Sequence, residues 1–278
     1  MSTIGFETAV EEGRCGERLW LYATYHCNLA CVYCLTESQP GIRYRRHLGS
    51  ETMIELASDA RDLGFGSLGV TGGELFMLPD AAEMLVELGS ILPTVALTNG
   101  TLFTDRVLQR IEPLADLDVA LQVSLDSPDP LRNDTMRGPE NFAKVQEAIP
   151  KLVERGIKVR IATTVDDQGE DELTRLCELH RTWGITDDDH IVRRIVRRGR
   201  AELVEMGVEP GPTDILPELT ITADGAFLHA FAPTVRNGVT DLDLLVSRQV
   251  APLSVAVRRF LGVVADQPVG TDAAATFT

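Results

Sequence analysis

The chain has 278 residues, 44% of them apolar, and a formal net charge of −16 at pH 7. That length and apolar content allow one core of barrel size, or one domain plus a small extension. The acidic balance excludes a general binder of nucleic-acid backbones, and no stretch reaches the roughly 18–20 continuous apolar residues of a membrane helix.

The first 17 residues lack the basic start and apolar run of a secretion signal, which points to the cytoplasm. Five cysteines, at positions 15, 27, 31, 34 and 177, form an odd set that suits a reducing compartment better than a disulfide framework. RLWLYATYH (18–26) is rich in β-branched and aromatic residues and predicts a strand. Ser50 predicts the cap of a helix through Leu63, ended by Gly64. SLGVTG (67–72) is a short buried strand. A helix opens at Pro79, with Leu85 and Leu88 on its apolar face, and TVALTN (94–99) is the next strand. Thr104 starts a helix to about Leu114, and DVALQVSL (118–125) is a strand. Asn141–Arg155 is helical, stopped by Gly156. IKVRIATTV (157–165) is a strand, Asp171–Trp183 a helix and HIVRRIV (190–196) a sixth strand.

Six strand–helix units in series imply a parallel sheet with helices outside. Fewer than eight units suggest an incomplete barrel, although periodicity equally allows an open doubly wound sheet. Either arrangement places the site at the carboxyl ends of the strands. Residues 201–217 are rich in Gly, Pro and Glu and predict a linker. ELTITADGAFLHAF (218–231) alternates about Ala223-Asp224-Gly225 and predicts a hairpin. Pro252–Val264 predicts a helix, and residues 266–278 a frayed tail. The expected division is a barrel over 1–200, a linker and cap over 201–265, and the tail.

CNLACVYC places Cys27, Cys31 and Cys34 in a C-x3-C-x2-C spacing just after the first strand. A structural zinc site needs a fourth ligand, for which Cys15 or His26 is available. Iron–sulfur clusters also take thiolates, and three cysteines leave one iron of a cubane open. The spacing, with Tyr33 directly before the last cysteine, resembles the radical S-adenosylmethionine (SAM) superfamily. The resemblance covers about residues 18–200 and continues in order through further strand ends. TGGE supplies Gly72, Gly73 and Glu74, with Leu75 where the family usually has proline; TNG supplies Thr98 and Asn99; SLDS supplies Ser124 and Asp126; TTV supplies Thr164.

The resemblance implies a partial (β/α)6 TIM-type barrel. It also implies a [4Fe–4S] cluster held by Cys27, Cys31 and Cys34, with SAM on the open iron through its amino and carboxylate groups. Tyr33, Gly72, Gly73, Glu74, Thr98, Asn99, Ser124, Asp126 and Thr164 are the expected SAM-site residues, with Glu74 receiving the ammonium group. An external one-electron reductant of flavodoxin or ferredoxin type is expected. So is hydrogen abstraction by a 5′-deoxyadenosyl radical from a ribosomal peptide or peptide-derived cofactor precursor. A small metabolite (sugar, nucleoside or tetrapyrrole intermediate) is the rival substrate, and a non-catalytic iron–sulfur or zinc protein the rival of another class. With about 17 residues before the first strand, leader recognition falls to a possible partner protein. Neither membrane nor nucleic acid is an expected partner.

Arg137-Gly138 resembles a loop near the active site in relatives, and equally reads as solvated. Cys177 reads as a small core residue and Cys15 as incidental. His26 reads as either a strand-packing residue or one near the cluster. His180, His190 and His229 read as structural, and the basic run RRIVRRGR (193–200) as a solvated strand edge or, alternatively, a contact for a phosphate or acidic substrate. The segment from 197 onward resembles the SPASM or twitch extension of radical SAM enzymes, with Ala230 where an auxiliary cluster ligand would stand. This implies a cap without a cluster.

Overall fold

The structure, a computed structural model, describes residues 5–42, 47–166, 169–210 and 214–266. The expected tail beyond Asp266 lies outside the described residues. A short helix α1 (Phe6–Glu11) precedes β1 (Arg18–Thr24). There follow α2 (Ser50–Asp62), β2 (Ser67–Gly72), α3 (Ala81–Ile91), β3 (Thr94–Thr98), α4 (Asp105–Ile111) and β4 (Val119–Ser124). After these come α5 (Pro130–Arg137), α6 (Asn141–Glu154), β5 (Lys158–Val165), α7 (Glu170–Thr182) and β6 (His190–Arg194).

β1 to β6 are parallel and neighbour one another in chain order. A doubly wound sheet reverses its strand order partway. The sequence β1-β2-β3-β4-β5-β6 has no reversal and is that of a partial barrel. Side chains of β1 alternate as a strand requires. Leu19, Leu21 and Ala23 face the helices and join one core with Met53, Leu56, Leu85 and Leu152, while Arg18, Trp20 and Tyr22 line the lumen.

Three local differences from the sequence reading have simple causes. Gly49, at φ +85°, caps α2, and the Ser50 hydroxyl instead donates to Asp80 Oδ2 at 2.6 Å. The first strand stops at Thr24, where its carbonyl accepts from Gly73 N at 2.7 Å. The polar stretch after Ser127 contains α5, capped by the Asp129 carboxylate through Arg132 N at 2.9 Å and opened by Pro130.

The remaining elements are α8 (Arg200–Leu203), β7 (Thr220–Thr222), β8 (Gly225–Phe227), β9 (Val235–Arg236), β10 (Val239–Thr240), β11 (Leu245–Ser247) and α9 (Leu253–Ala265). β7 and β8 are the expected hairpin. β7 pairs in parallel with β1, matching Trp20 to Thr220 and Leu21 to Ile221, so the order β11-β8-β7-β1 continues the barrel sheet. α9 packs on α1 and α2, and Leu219, Ile221, Leu253 and Phe260 belong to the same core as β1. The segment therefore extends the barrel sideways rather than only covering its strand ends. No helix among the described residues is long and apolar enough to cross a membrane.

Candidate active site

One cavity of about 400 Å³ runs along the lumen from Arg18 and Trp20 to the loop after β1. Cys27, Cys31, Cys34 and Tyr33 of that loop line it, together with Gly72, Gly73, Thr98, Asn99, Ser124 and Thr164 from the ends of β2 to β5. Ile215, Leu216, Ala230 and Phe231 of the C-terminal segment close one wall. Glu74 and Asp126 do not line it, and both are fully buried.

The cysteine loop is held by distant parts of the chain. Gly73 N donates to Thr24 O and Glu74 N to His26 O, each at 2.7 Å. Gly72 has φ +149°, and a Cβ on Gly73 would fall 2.1 Å from His26 O. The glycines are thus needed for close approach to the cysteine loop itself. From the far side, Arg200 Nη1 donates to Cys31 O at 2.7 Å, and Arg200 N donates to Cys34 O at 3.0 Å. Val32 N donates to Met136 O at 2.9 Å.

The Glu74 carboxylate faces inward. Phe76 N (3.0 Å), Thr98 Oγ1 (2.8 Å) and Asn99 N (2.7 Å) all donate to it. Burial pushes its pKa up, and these hydrogen bonds act against that. The carboxylate expected to receive an ammonium group joins the ends of β2 and β3. Asp126 plays the matching part on the other side. Its Oδ1 accepts from Thr164 N at 3.0 Å, and its Oδ2 accepts from Tyr33 OH at 2.5 Å and pairs with Arg137 at 3.2 Å. Arg137 also contacts the Tyr33 hydroxyl, and its Nε is buried with no hydrogen-bond partner among the described residues. Asn99 Nδ2 lies 3.8 Å from Cys27 Sγ and 2.9 Å from Asn28 Oδ1.

Burial pushes the Cys27 thiol up to about 12 and raises Cys31 as well, with Arg137 opposing the rise at Cys31. Among the described residues no three His, Cys, Asp or Glu side chains could hold a single metal ion. Cys15 is buried in the helix-side core and His26 does not line the cavity, so neither completes a zinc site with the three thiols. Three thiols lining a common cavity fit a polynuclear iron–sulfur cluster with one open iron.

The basic run is not a solvated edge. Arg193 and Arg194 line the cavity, Arg197 donates to Gly207 O, Arg198 binds Asp243, and Arg200 clamps the cysteine loop. Arg18 and Trp20 also line the lumen, although sequence reasoning singled out neither. Their signal was the alternation Arg18, Trp20, Tyr22 on the inward face of β1. Cys177 lies away from the cavity, its Sγ 3.5 Å from His190 Nδ1. His180 is buried against His190 and Trp183, and His229 stacks on Phe231.

A family model described as the Radical SAM superfamily matches residues 21–180. The antilisterial bacteriocin subtilosin biosynthesis protein AlbA of Bacillus subtilis (strain 168) is 31% identical over 166 residues, 58% of this chain and 36% of that protein. A probable GTP 3′,8-cyclase of Archaeoglobus fulgidus is 30% identical over 171 residues, 59% of this chain and 55% of that protein. The chain thus spans little more than a third of the first relative and about half of the second. Among solved structures, Streptococcus suis SuiB bound to the precursor peptide SuiA superimposes with a TM-score of 0.56 at 19% identity, over 68% of this chain and 42% of that one. At that identity the likeness is one of fold.

Proposed function

This chain belongs to the radical SAM superfamily, whose members are enzymes that use a [4Fe–4S] cluster and SAM, and from that premise we propose that it acts on a ribosomally made peptide or a peptide-derived cofactor precursor. The observation that carries the catalytic part is the gathering of Cys27, Cys31 and Cys34 at one end of a cavity lined by the ends of β2 to β5. In this reading the three thiolates hold the cluster. Gly72, Gly73, Thr98, Asn99, Ser124, Thr164 and Tyr33 border the space for SAM. When bound, the cluster and SAM supply a 5′-deoxyadenosyl radical for hydrogen abstraction, given one electron from an external reductant of flavodoxin or ferredoxin type.

The chain's own residues bind, position and exclude water. Glu74 and Asp126 fix the strand ends and Tyr33 from behind. Arg200 and Arg137 hold the loop that carries the thiols. Ile215, Leu216 and Phe231 supply an apolar wall that keeps solvent from a radical. We read residues 1–200 as the catalytic barrel and 201–265 as the segment that completes its wall, working in the cytoplasm where thiols stay reduced.

Similarity to the bacteriocin biosynthesis protein supports the peptide substrate. A second reading, a small anionic metabolite, is favoured by similarity to the cyclase and by the arginines in the lumen. The test is anaerobic reconstitution followed by assay of 5′-deoxyadenosine with candidate precursor peptides and with nucleotides. Peptide-dependent SAM cleavage supports the first reading, and cleavage stimulated by nucleotides alone replaces it with the second. A reconstituted chain that binds iron yet never cleaves SAM rejects both.

A further inference from the structure

Arg18 and Arg193 line the lumen of an acidic protein, and Arg160 lies close enough to both for their charges to act on it. Arg18 lines the cavity from the start of β1. Its Nε donates to Ser67 Oγ at 3.3 Å, and its guanidinium stands 5.5 Å from the centre of the Trp20 ring. Arg193 lines the cavity from β6, opposite Thr164, and its Nε is buried without a hydrogen-bond partner. Arg160 is half-buried on β5, opposite the cavity-lining Gln122. Burial lowers its pKa, and the nearby charges of Arg18 and Arg193 add to that, with Asp189 opposing. Among the described residues none of the three makes a salt bridge within 4.0 Å. Among the described residues Glu218 is the one carboxylate lining the cavity, and its Oε2 accepts from Trp20 Nε1 at 2.7 Å.

Like charges confined in a half-buried space repel, and a buried guanidinium donor without an acceptor is costly. The fold keeps Arg18 and Arg193 in the wall of the cavity that also carries the thiols, with Arg160 beside them. Arg18 lies six residues before the end of β1, about 20 Å along the strand from the cysteine loop. A guanidinium fork matches a carboxylate or a phosphate through paired hydrogen bonds.

We propose that Arg18, Arg160 and Arg193 form an oxyanion subsite in the lumen, which takes a carboxylate or phosphate of the substrate and anchors it away from the cysteine loop. This deepens the reading above and rests on it for the role of the lumen as the substrate site. It makes the substrate acidic at a point remote from the reacting carbon.

The experiment uses the full chain, before and after cluster reconstitution, carrying Trp183→Phe so that Trp20 is the single tryptophan. Glutarate and pyrophosphate are titrated separately while Trp20 fluorescence is followed. A saturable response to either probe is expected, and the better probe identifies the oxyanion. Arg193→Gln and Arg18→Gln are expected to weaken binding about ten-fold or more. Arg193→Lys should fall between, and Arg258→Gln on the exposed face of α9 should leave it unchanged. Equal affinity in Arg193→Gln and Arg258→Gln, or no saturable response to either probe in the parent chain, overturns the subsite. SAM cleavage is measured on the same preparations. Anion binding without SAM cleavage in the parent chain overturns the catalytic reading and keeps the subsite; SAM cleavage without anion binding does the reverse.

Discussion

Gly73 and His26 meet backbone to backbone. A Cβ on Gly73 would lie 2.1 Å from His26 O, the same oxygen that accepts from Glu74 N at 2.7 Å. The neighbour is main chain directly before Cys27, so it cannot swing aside as a side chain would. Gly73→Val should therefore displace the cysteine loop and lower iron uptake, beyond any effect on SAM. Iron per chain after reconstitution measures this, and normal iron with only SAM affinity reduced would place the close approach at the ligand instead.

Glu74→Ala removes the acceptor of Phe76 N, Thr98 Oγ1 and Asn99 N. Each buried donor left unpaired costs about 1–3 kcal/mol. The variant should unfold at clearly lower denaturant concentration, with SAM affinity falling as the strand ends separate. An unchanged unfolding midpoint with selective loss of SAM binding would show that this carboxylate contacts the ligand directly.

Iron content should reach about four atoms per chain, the stoichiometry of one cubane. Cys31→Ala should lose it, whereas Cys177→Ala, beside His190 and outside the cavity, should keep it. The Cys27 thiol, pushed up to about 12, is protonated at neutral pH. Metal must displace that proton, so iron uptake should strengthen as pH rises from about 6 to 8. Uptake that is flat or falls over this range in a competition with a chelator would contradict the thiol ligation.

A chain ending at Pro217 loses β7, β8, β11 and α9, and with them Ile221, Phe227 and Phe260, all essentially inaccessible to solvent. Burying side chains of this size contributes about 1.5–3 kcal/mol each, against a total stability of about 5–15 kcal/mol. The edge of β1 would also be left bare. The truncated chain is expected to aggregate or lack a cooperative thermal transition by circular dichroism. A folded truncation that binds a cluster would show that the barrel stands without its lateral strands.

His180 is buried, with neither ring nitrogen hydrogen-bonded among the described residues, and desolvation lowers its pKa from 6.5 to about 3. The folded state therefore holds it neutral while the unfolded chain protonates it below about 6.5. Its contribution is fully present above that pH and is lost as pH falls toward 3. Between pH 7 and 5 the loss is about 2 kcal/mol. His180→Phe should flatten this acid limb in urea unfolding, and an unaltered limb would assign it to other groups.

The sequence by itself determined the strand–helix order, the three-thiol loop and the strand-end motifs. Each of these is written in local spacing: alternation over five to nine residues, helical periodicity, and cysteines within eight positions. What the motifs do to one another was decided only by the tertiary structure. Gly73 reaches His26, and Arg200 reaches Cys31 across 169 positions, because the barrel brings their strand ends together. The same closure brings Thr98 and Asn99 to the Glu74 carboxylate. Alternation groups Arg18 with Trp20 and Tyr22 on one face of β1, but that this face and Arg193 of β6 look into one lumen depends on neighbours far away in the chain. The extension, too, was legible as a hairpin, but its place beside β1 rests on pairing between residues about 200 apart. Such pairing is set by the whole core that both strands bury, and no single stretch of sequence records it.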